Sequence, residues 1–214
     1  GVPTLRKYFS ADVAQAIKDE WGTAKVVTAN RVFANIDNLN DVVEGVRILL
    51  EPDGAFVFET GYLVDILEHG LFETIYHEHL GYESVKPLDA FFRRHQMELI
   101  DIERLPIKGG SLRGVVQRAG GPGTASSSIS SLISMEEGLG IHTIKPFKAF
   151  ANKIDAIKNR LDGLLGELEP NGKTVAGYGA AQSSTTLIYH FGLGNKLGFL
   201  VDDDPKTQGL YSPG

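Results

Sequence analysis

The sequence predicts an α/β protein with a parallel sheet followed by a second, smaller α/β unit. Residues 24–30 and 55–60 are short apolar runs typical of strands, and the segment 38–50 between them carries apolar side chains at helical spacing. The order strand, helix, strand recurs in 173–192 and 196–204, where a glycine-rich turn precedes the helix. Such an order predicts parallel strands joined by a right-handed crossover.

The first half of the chain begins with a capped helix. Ser10 can cap its start and Gly22 can end it. The nearly continuous apolar run 24–30 suits a strand buried on both faces. Pro52-Asp53-Gly54 predicts a turn ahead of the strand 55–60.

A helix and a hairpin follow. Residues 84–95 read as a helix with Pro87 in its first turn. Apolar and polar residues alternate over 97–107, as in a strand with one wet face. Residues 111–118 can pair with that strand across the turn 108–110.

Composition places the best domain boundary after the hairpin. The stretch AGGPGTASSS, residues 119–128, is typical of a flexible linker. A long helix is predicted over about 144–168. We therefore expect a first domain at 1–118, a linker at 119–143 and a C-terminal α/β domain at 144–214.

The overall composition argues against several classes of protein. The 214 residues include 42% hydrophobic and 22% charged residues, which is ordinary for a soluble globular protein. A net charge of -6 argues against nucleic-acid binding, and the absence of cysteine excludes disulfides and thiolate zinc sites. No apolar run approaches the roughly 20 residues of a membrane span, and the N-terminus has no signal-peptide core. We expect a cytoplasmic fragment of a longer protein, without nucleic-acid or membrane partners.

The segment ETIYHEHLGYES, residues 73–84, groups titratable side chains that folding alone does not require. A metal site, proton transfer and a solvated loop whose histidines cap carbonyls are all open interpretations. The spacing H-E-H is not the H-E-x-x-H of zinc proteases, so we predict no metal here. Proton transfer needs a base, an orienting carboxylate and a hydroxyl donor, which His79, Glu78 and Tyr76 supply.

Two glycine-containing turns are further candidate sites. In GYGAAQ, Gly177 and Gly179 would let backbone N–H groups approach a phosphate at a helix N-terminus, although Gln182 stands where the dinucleotide motif has glycine or alanine. In KGGSLR, Lys108 and Arg113 bring positive charge beside exposed backbone amides. The first could equally be an ordinary turn. In the second, Ser111 adds another donor, which favours a ligand over a turn with surface cations.

Several longer stretches resemble the sugar C-methyltransferases, which transfer a methyl group from S-adenosylmethionine to carbon 3 of a nucleotide-linked keto-deoxysugar. The resemblance implies a partial Rossmann-type methyltransferase sheet followed by a smaller Rossmann-like domain that holds the sugar nucleotide. The stretches are 26–60, 74–84, 99–118 and 201–214.

The resemblance also implies parts that these residues do not include. Members of the family carry a cysteine-rich zinc domain, a glycine-rich turn for the methyl donor and an acidic residue for its ribose. Residues 1–60 resemble only the second half of the donor domain. We therefore expect that this chain alone binds S-adenosylmethionine poorly and is inactive.

The resemblance implies roles for the candidate residues. The segment around 76–79 lines the sugar pocket, His79 is the base that removes the proton on carbon 3, and Tyr76 and Glu78 contact the sugar. The enolate then attacks the sulfonium methyl group. Asn30 and Arg31 are expected to contact the methyl donor. The residues expected to contact the substrate are Asn35, His77, Lys108, Ser111, Arg113, Gly177 and Gly179.

Some residues depart from the family pattern. Relatives often have histidine at the positions of Asn35 and Lys108, and asparagine cannot shuttle a proton near neutral pH. The stretch GAAQSSTT, 179–186, also differs, which leaves the sugar and the nucleobase open. Two alternatives to the methyltransferase remain, namely a nucleotide-sugar-binding module without catalysis and an NAD-dependent enzyme built on the second glycine turn.

Overall fold

The computed structural model describes residues 1–213, apart from the side chain of Glu169; Gly214, the last residue of the predicted C-terminal domain, lies outside this description. The α-helices of the described residues are α1 (Ala11–Trp21), α2 (Leu39–Leu49), α3 (Leu63–His69), α4 (Val85–Arg94), α5 (Ser127–Leu139), α6 (Ile144–Leu168) and α7 (Gln182–Phe191). The strands are β1 (Ala24–Asn30), β2 (Leu50–Gly61), β3 (Met97–Leu105), β4 (Ser111–Arg118), β5 (Ala176–Tyr178) and β6 (Phe199–Val201).

Strands β1 to β4 form a mixed sheet in the order β1-β2-β4-β3. β1 and β2 run parallel with α2 between them in the chain, as predicted. β4 pairs antiparallel with both β2 and β3. The hairpin predicted across residues 108–110 is confirmed, since Leu105 pairs with Ser111 at its closed end. The α/β fold class is therefore confirmed.

The predicted start and end of α1 are also confirmed. Ser10 Oγ accepts a hydrogen bond from the Val13 N–H at 3.2 Å, which satisfies one of the unpaired donors of the first turn. Gly22 has φ 86°, a conformation that glycine adopts without strain, and its N–H donates to the Lys18 carbonyl oxygen. Pro87 lies in the first turn of α4, as expected.

Two expectations about the first strands are wrong. β1 is not buried on both faces, because its side chains are exposed or half-buried within the described residues, and that of Val26 is 57% exposed. Pro52-Asp53-Gly54 does not form a turn ahead of the strand, because β2 runs without a break from Leu50 through these residues. The extra residues of β2 are absorbed by an irregularity in register, in which Ala24 pairs with Leu50 but Val26 pairs with Ala55.

The core of this sheet is aromatic. The rings of Phe33 and Phe58 stack with centroids 5.1 Å apart and an interplanar angle of 6°, and Phe56 and Phe92 pack around them. Gly114 faces this cluster from β4, and a Cβ there would lie 2.3 Å from the ring of Phe58. The close ring packing therefore requires glycine at position 114.

A buried carboxylate connects three elements of the same core. Glu136 on α5 is 2% exposed and accepts hydrogen bonds from the Tyr62 hydroxyl at 3.0 Å, the Val85 N–H at 2.6 Å and the Lys86 N–H at 3.1 Å. The side chain of Ser84, the N-cap residue of α4, makes no capping bond. Glu136 therefore caps α4 from a distant part of the chain. Burial and the nearby Glu136 charge raise the pKa of Tyr62.

The described residues divide into two compact units that differ from the predicted domains. Unit 1 consists of residues 1–65 and 80–142, and unit 2 consists of residues 66–79 together with the chain from Thr143 onward. Most of the segment 119–143, predicted as a linker, belongs to unit 1. The reason is α5, which buries Ile129 in the unit 1 core and packs against β3 and α4.

Unit 2 contains the second predicted strand, helix, strand order. β5 and β6 are parallel, with Gly177 opposite Leu200, and α7 lies between them in the chain. α6 spans the predicted range and contributes Ile154 and Leu165 to a core that it shares with Phe191 of α7. Within the described residues, no helix is both long and apolar enough to cross a lipid bilayer.

We expect Glu136→Ala to destabilise unit 1 by about 2–4 kcal/mol, because hydrogen bonds to a charged acceptor are strong and buried donors would lose their partner. Urea unfolding followed by circular dichroism measures this loss. The matched control is Glu137→Ala, which removes the neighbouring carboxylate. The carboxylate of Glu137 is exposed and accepts from Lys86 Nζ at 2.6 Å, so its loss should change the midpoint little. Equal shifts for the two variants would contradict the assigned role of Glu136.

Candidate active site

The carboxyl ends of β1 and β2 bring together Arg31 and Ser111, two of the predicted site residues. The Arg31 N–H donates to the Glu59 carbonyl oxygen at 2.6 Å. Its guanidinium Nη1 donates to Ser111 Oγ at 2.8 Å and lies 3.8 Å from Glu59 Oε1. Arg31 has φ 54°, which is uncommon for a residue with a side chain. Asn35 is exposed in the short 3₁₀ helix that follows β1.

Ser111 uses its hydroxyl group within the protein. The residue is fully buried, and its hydroxyl donates to the Ile107 carbonyl oxygen at 3.1 Å. Its single proton is therefore committed, and its oxygen accepts from Arg31. These bonds give Ser111 the role of orienting the guanidinium. Its contact with substrate stays a prediction.

The other predicted residues of the sheet are spread across one face. Asn30, Glu59, Arg113 and Glu103 lie in register across the four strands. Arg113 Nη1 lies 3.7 Å from Glu103 Oε2, and both side chains are exposed. Lys108 is exposed in the hairpin turn with φ 48°. Arg113 therefore lies beside a carboxylate on the face of the sheet, whereas Lys108 lies in the hairpin turn.

The hairpin turn is fixed by Gly110. This residue has φ 142°, and a Cβ on it would lie 2.1 Å from Asp65 Cγ. Asp65 is nearly buried and pairs with Arg104, whose Nη2 donates to Asp65 Oδ1 at 2.6 Å. The Arg104 guanidinium also lies 5.5 Å from the centroid of the Tyr62 ring. Only glycine fits where the turn passes this ion pair.

Residues 80–86, which we call the anchored segment, are held along the carboxyl ends of β1 and β2. At its start, the N–H groups of Leu80 and Gly81 donate to the Ala34 carbonyl oxygen at 2.5 and 3.3 Å. In its middle, the Leu63 N–H donates to the Glu83 carbonyl oxygen at 2.9 Å. At its end, Glu136 accepts from the first turn of α4. The backbone of this segment therefore has one defined path.

In unit 2, the imidazole of His79 is oriented by two contacts. Its Nδ1 lies 2.7 Å from the Thr74 carbonyl oxygen. A carbonyl only accepts, so Nδ1 carries the proton and, in the neutral ring, Nε2 carries the lone pair. The Tyr76 ring packs against the imidazole with centroids 4.4 Å apart. Tyr76, Glu78 and His79 are partly exposed, and His77 is exposed.

This geometry is compatible with two of the interpretations drawn from the sequence. A histidine that bonds a nearby carbonyl is what the solvated-loop interpretation expects. The same bond selects the tautomer that a general base needs, because a proton held at Nδ1 directs proton uptake to Nε2. The bond therefore supports neither interpretation alone, and the role of His79 stays a prediction.

The two glycines of the second candidate turn have different structural reasons. A Cβ on Gly177 would lie 2.4 Å from Leu200 Cδ2, so a larger residue there would displace the end of the Leu200 side chain. Gly179 has φ 102° and open space around it. The N–H of Ala180 donates to Asp202 Oδ2 at 2.6 Å.

That internal carboxylate stands where a ligand phosphate was expected. Hydrogen bonds from the Ala180 and Asp204 N–H groups hold the pKa of Asp202 below its ordinary value. A phosphate at this turn would compete with Asp202 for the Ala180 N–H and meet a like charge. This geometry weighs against a dinucleotide bound as the alternative NAD enzyme would require.

One residue of the site region escaped the sequence analysis. Glu83 lies in the anchored segment, is partly buried, and has a pKa raised by that burial. Its position within the segment 73–84, which already contained the other titratable candidates, could have indicated it. Glu59, whose carboxylate lies 3.8 Å from Arg31 Nη1, was also not among the predicted site residues.

Comparison with known proteins identifies the family. The family model described as the C-methyltransferase C-terminal domain matches residues 106–214. The C-methyltransferase NovU of Streptomyces niveus is 32% identical over 215 residues, a match that covers 100% of this chain and 51% of NovU. The chain thus spans about half the length of this curated relative.

Two solved structures show only distant likeness. A SAM-dependent methyltransferase from Anabaena variabilis ATCC 29413 has a TM-score of 0.39 and 18% identity, over 51% of this chain and 55% of that one. M1.HpyAVI has a TM-score of 0.33 and 8% identity, over 94% of this chain and 91% of that one. Neither likeness carries weight, so the family assignment depends on the sequence matches. On those matches, the chain belongs to the C-methyltransferase family, and its second half lies in the C-terminal domain of that family.

Proposed function

We propose that this chain forms part of an S-adenosylmethionine-dependent C-methyltransferase that acts on a nucleotide-linked keto-deoxysugar. The family membership carries this proposal, and the match to NovU extends it to the segment 73–84. Because the chain spans about half of that relative, the activity is proposed for the longer protein. Residues 1–214 would supply part of the methyl-donor site and of the sugar pocket.

In this proposal His79 is the general base. The Thr74 carbonyl oxygen accepts the Nδ1 proton, so Nε2 takes up the proton that leaves carbon 3 of the sugar. The Tyr76 ring, packed on the imidazole, limits its rotation. The family resemblance adds that Tyr76 and Glu78 contact the sugar, where a phenol can donate to the developing oxyanion.

The chemistry requires a ketone beside the reacting carbon. Loss of the carbon 3 proton leaves an electron pair that the adjacent carbonyl accepts as an enolate. S-adenosylmethionine supplies an electrophilic methyl carbon when it is bound. A new carbon–carbon bond then forms as the methyl–sulfur bond breaks. Alignment of the two reactants supplies much of the remaining rate.

Arg31 fits one part of the methyl donor. Its guanidinium lies at the carboxyl ends of a parallel pair of strands, where ligands of such sheets bind. The side chain is 31% exposed, and Ser111 holds one of its nitrogens in place. A planar guanidinium of this kind suits a carboxylate, such as that of the methionine part of the donor.

The direct test of the proposed function uses the longer protein with methyl-labelled S-adenosylmethionine and a thymidine diphosphate keto-deoxysugar. Label should enter the sugar at carbon 3. Tight binding of NAD with no transfer of label would reject the methyltransferase assignment for this protein.

His79→Gln in the longer protein should lower kcat by about 10²–10⁴-fold, the usual contribution of general base catalysis. It should also abolish exchange of deuterium at carbon 3 when the methyl donor is left out. The control is His142→Gln, because His142 is exposed and lies outside the segment 73–84. If His79→Gln keeps methyl transfer within a few fold of wild type, His79 is not the base.

Arg31→Met should raise the KM for S-adenosylmethionine by at least about tenfold, equivalent to about 1.4 kcal/mol, and leave the KM for the sugar unchanged. Arg94→Met is the control, because Arg94 is an exposed arginine on α4. Initial rates at varied concentrations of each substrate give both constants. A rise confined to the sugar would instead assign Arg31 to the acceptor.

A further inference from the structure

The carboxyl group of Glu83 has an unusual setting. Among residues 1–213, leaving out the side chain of Glu169, the structure gives this carboxyl neither a hydrogen-bond donor nor a cation. The residue is nevertheless partly buried. A carboxyl that loses part of its water without gaining a partner is less stable in its charged form. Such a group is better explained by binding than by packing.

Backbone hydrogen bonds hold Glu83 at the carboxyl end of β2. Its carbonyl oxygen accepts from the Leu63 N–H at 2.9 Å, and it forms a parallel bridge with Tyr62 immediately beyond β2. The anchored segment is also bonded on either side of this residue. Glu83 is therefore held where ligands of parallel strands bind, rather than on a mobile loop.

Gly81 leaves space beside this carboxyl. A Cβ at position 81 would lie 3.2 Å from Glu83 Oε1, closer than most real contacts of such an atom. The Gly81 N–H meanwhile donates to the Ala34 carbonyl oxygen. The glycine therefore keeps the approach to Glu83 Oε1 clear of a side chain while its backbone stays fixed.

We propose that the Glu83 carboxyl accepts a hydrogen bond from a hydroxyl group of the sugar ring in the acceptor substrate. This inference rests on the proposed function, since it takes a nucleotide-linked sugar as the acceptor. A carboxylate oxygen is a strong acceptor for hydroxyl groups, and a bound hydroxyl would replace the water that Glu83 has lost. Glu83 follows residues 76–79 in one short segment, which favours the acceptor over the ribose of the methyl donor.

The energetic consequence gives the inference a second readout. Burial raises the folded-state pKa of Glu83 above its ordinary value of 4.5. The charged form therefore lowers stability above the raised pKa, and that loss disappears as the pH falls towards the unfolded value. At neutral pH, neutral replacements of Glu83 should unfold at the same temperature as wild type or at a higher one.

The experiment uses the longer enzyme with Glu83→Leu and Glu83→Gln. Leu removes every polar atom, whereas Gln keeps an acceptor oxygen of similar geometry. We expect Glu83→Leu to raise the KM for the sugar nucleotide by at least about tenfold, with kcat and the KM for S-adenosylmethionine within about threefold of wild type. Glu83→Gln should keep the sugar KM within about threefold. Glu20→Leu, which changes an exposed glutamate of α1, is the matched control.

Acceptor analogues that each lack one hydroxyl separate binding from a merely structural effect. For the analogue that lacks the bound hydroxyl, the KM of wild type and that of Glu83→Leu should become nearly equal. A constant ratio across all analogues, an effect on S-adenosylmethionine instead, or an unchanged sugar KM would overturn the proposal. The wild-type reaction tests the proposed function separately, because failure of methyl transfer there rejects that function before Glu83 is involved.

Discussion

The hydrogen bonds of the Glu136 carboxylate connect three elements of unit 1 at the point where the anchored segment ends. They connect α5 to the end of β2 through Tyr62 and to the first turn of α4. Removal of either side would leave a buried charge or buried N–H groups without partners, which is strongly unfavourable. Docking of α5 and capping of α4 are therefore one cooperative event. The path of the anchored segment depends on a contact made about 50 residues further along the chain.

The elements that the sequence predicted well are those with local signals. Ser10 and Gly22 bound α1 by their own backbone chemistry, and the glycines of the hairpin turn set its register. The errors arose where the outcome depends on distant partners. The exposure of Val26 depends on which elements cover the faces of β1, and the residues of the strand do not specify this. Likewise, α5 becomes part of a unit only because Glu136 and its apolar neighbours find partners elsewhere.

In the candidate site, too, the residue type could be identified from the sequence, whereas the contacts of each side chain could not. Side-chain chemistry was enough to single out His79, but its tautomer depends on the Thr74 carbonyl oxygen, which only the folded turn reveals. Glycine at 177 suggested a phosphate, although in the structure it also makes room for the Leu200 side chain. Glu83 looked ordinary in the sequence because the lack of a partner for a carboxyl is a property of its surroundings.

The hairpin turn contains one position where only glycine fits, Gly110, and one exposed position where other side chains fit, Lys108. Gly110 has no room for a larger residue beside Asp65, so any homologous turn with this geometry keeps glycine there. Lys108, two residues earlier, is exposed and already has the left-handed backbone that asparagine and histidine also tolerate. The residue at position 108 can therefore change in evolution while the fold of the turn is kept. Differences among relatives should concentrate at exposed positions of this kind, and protein engineers can change the charge of the turn by substitution there.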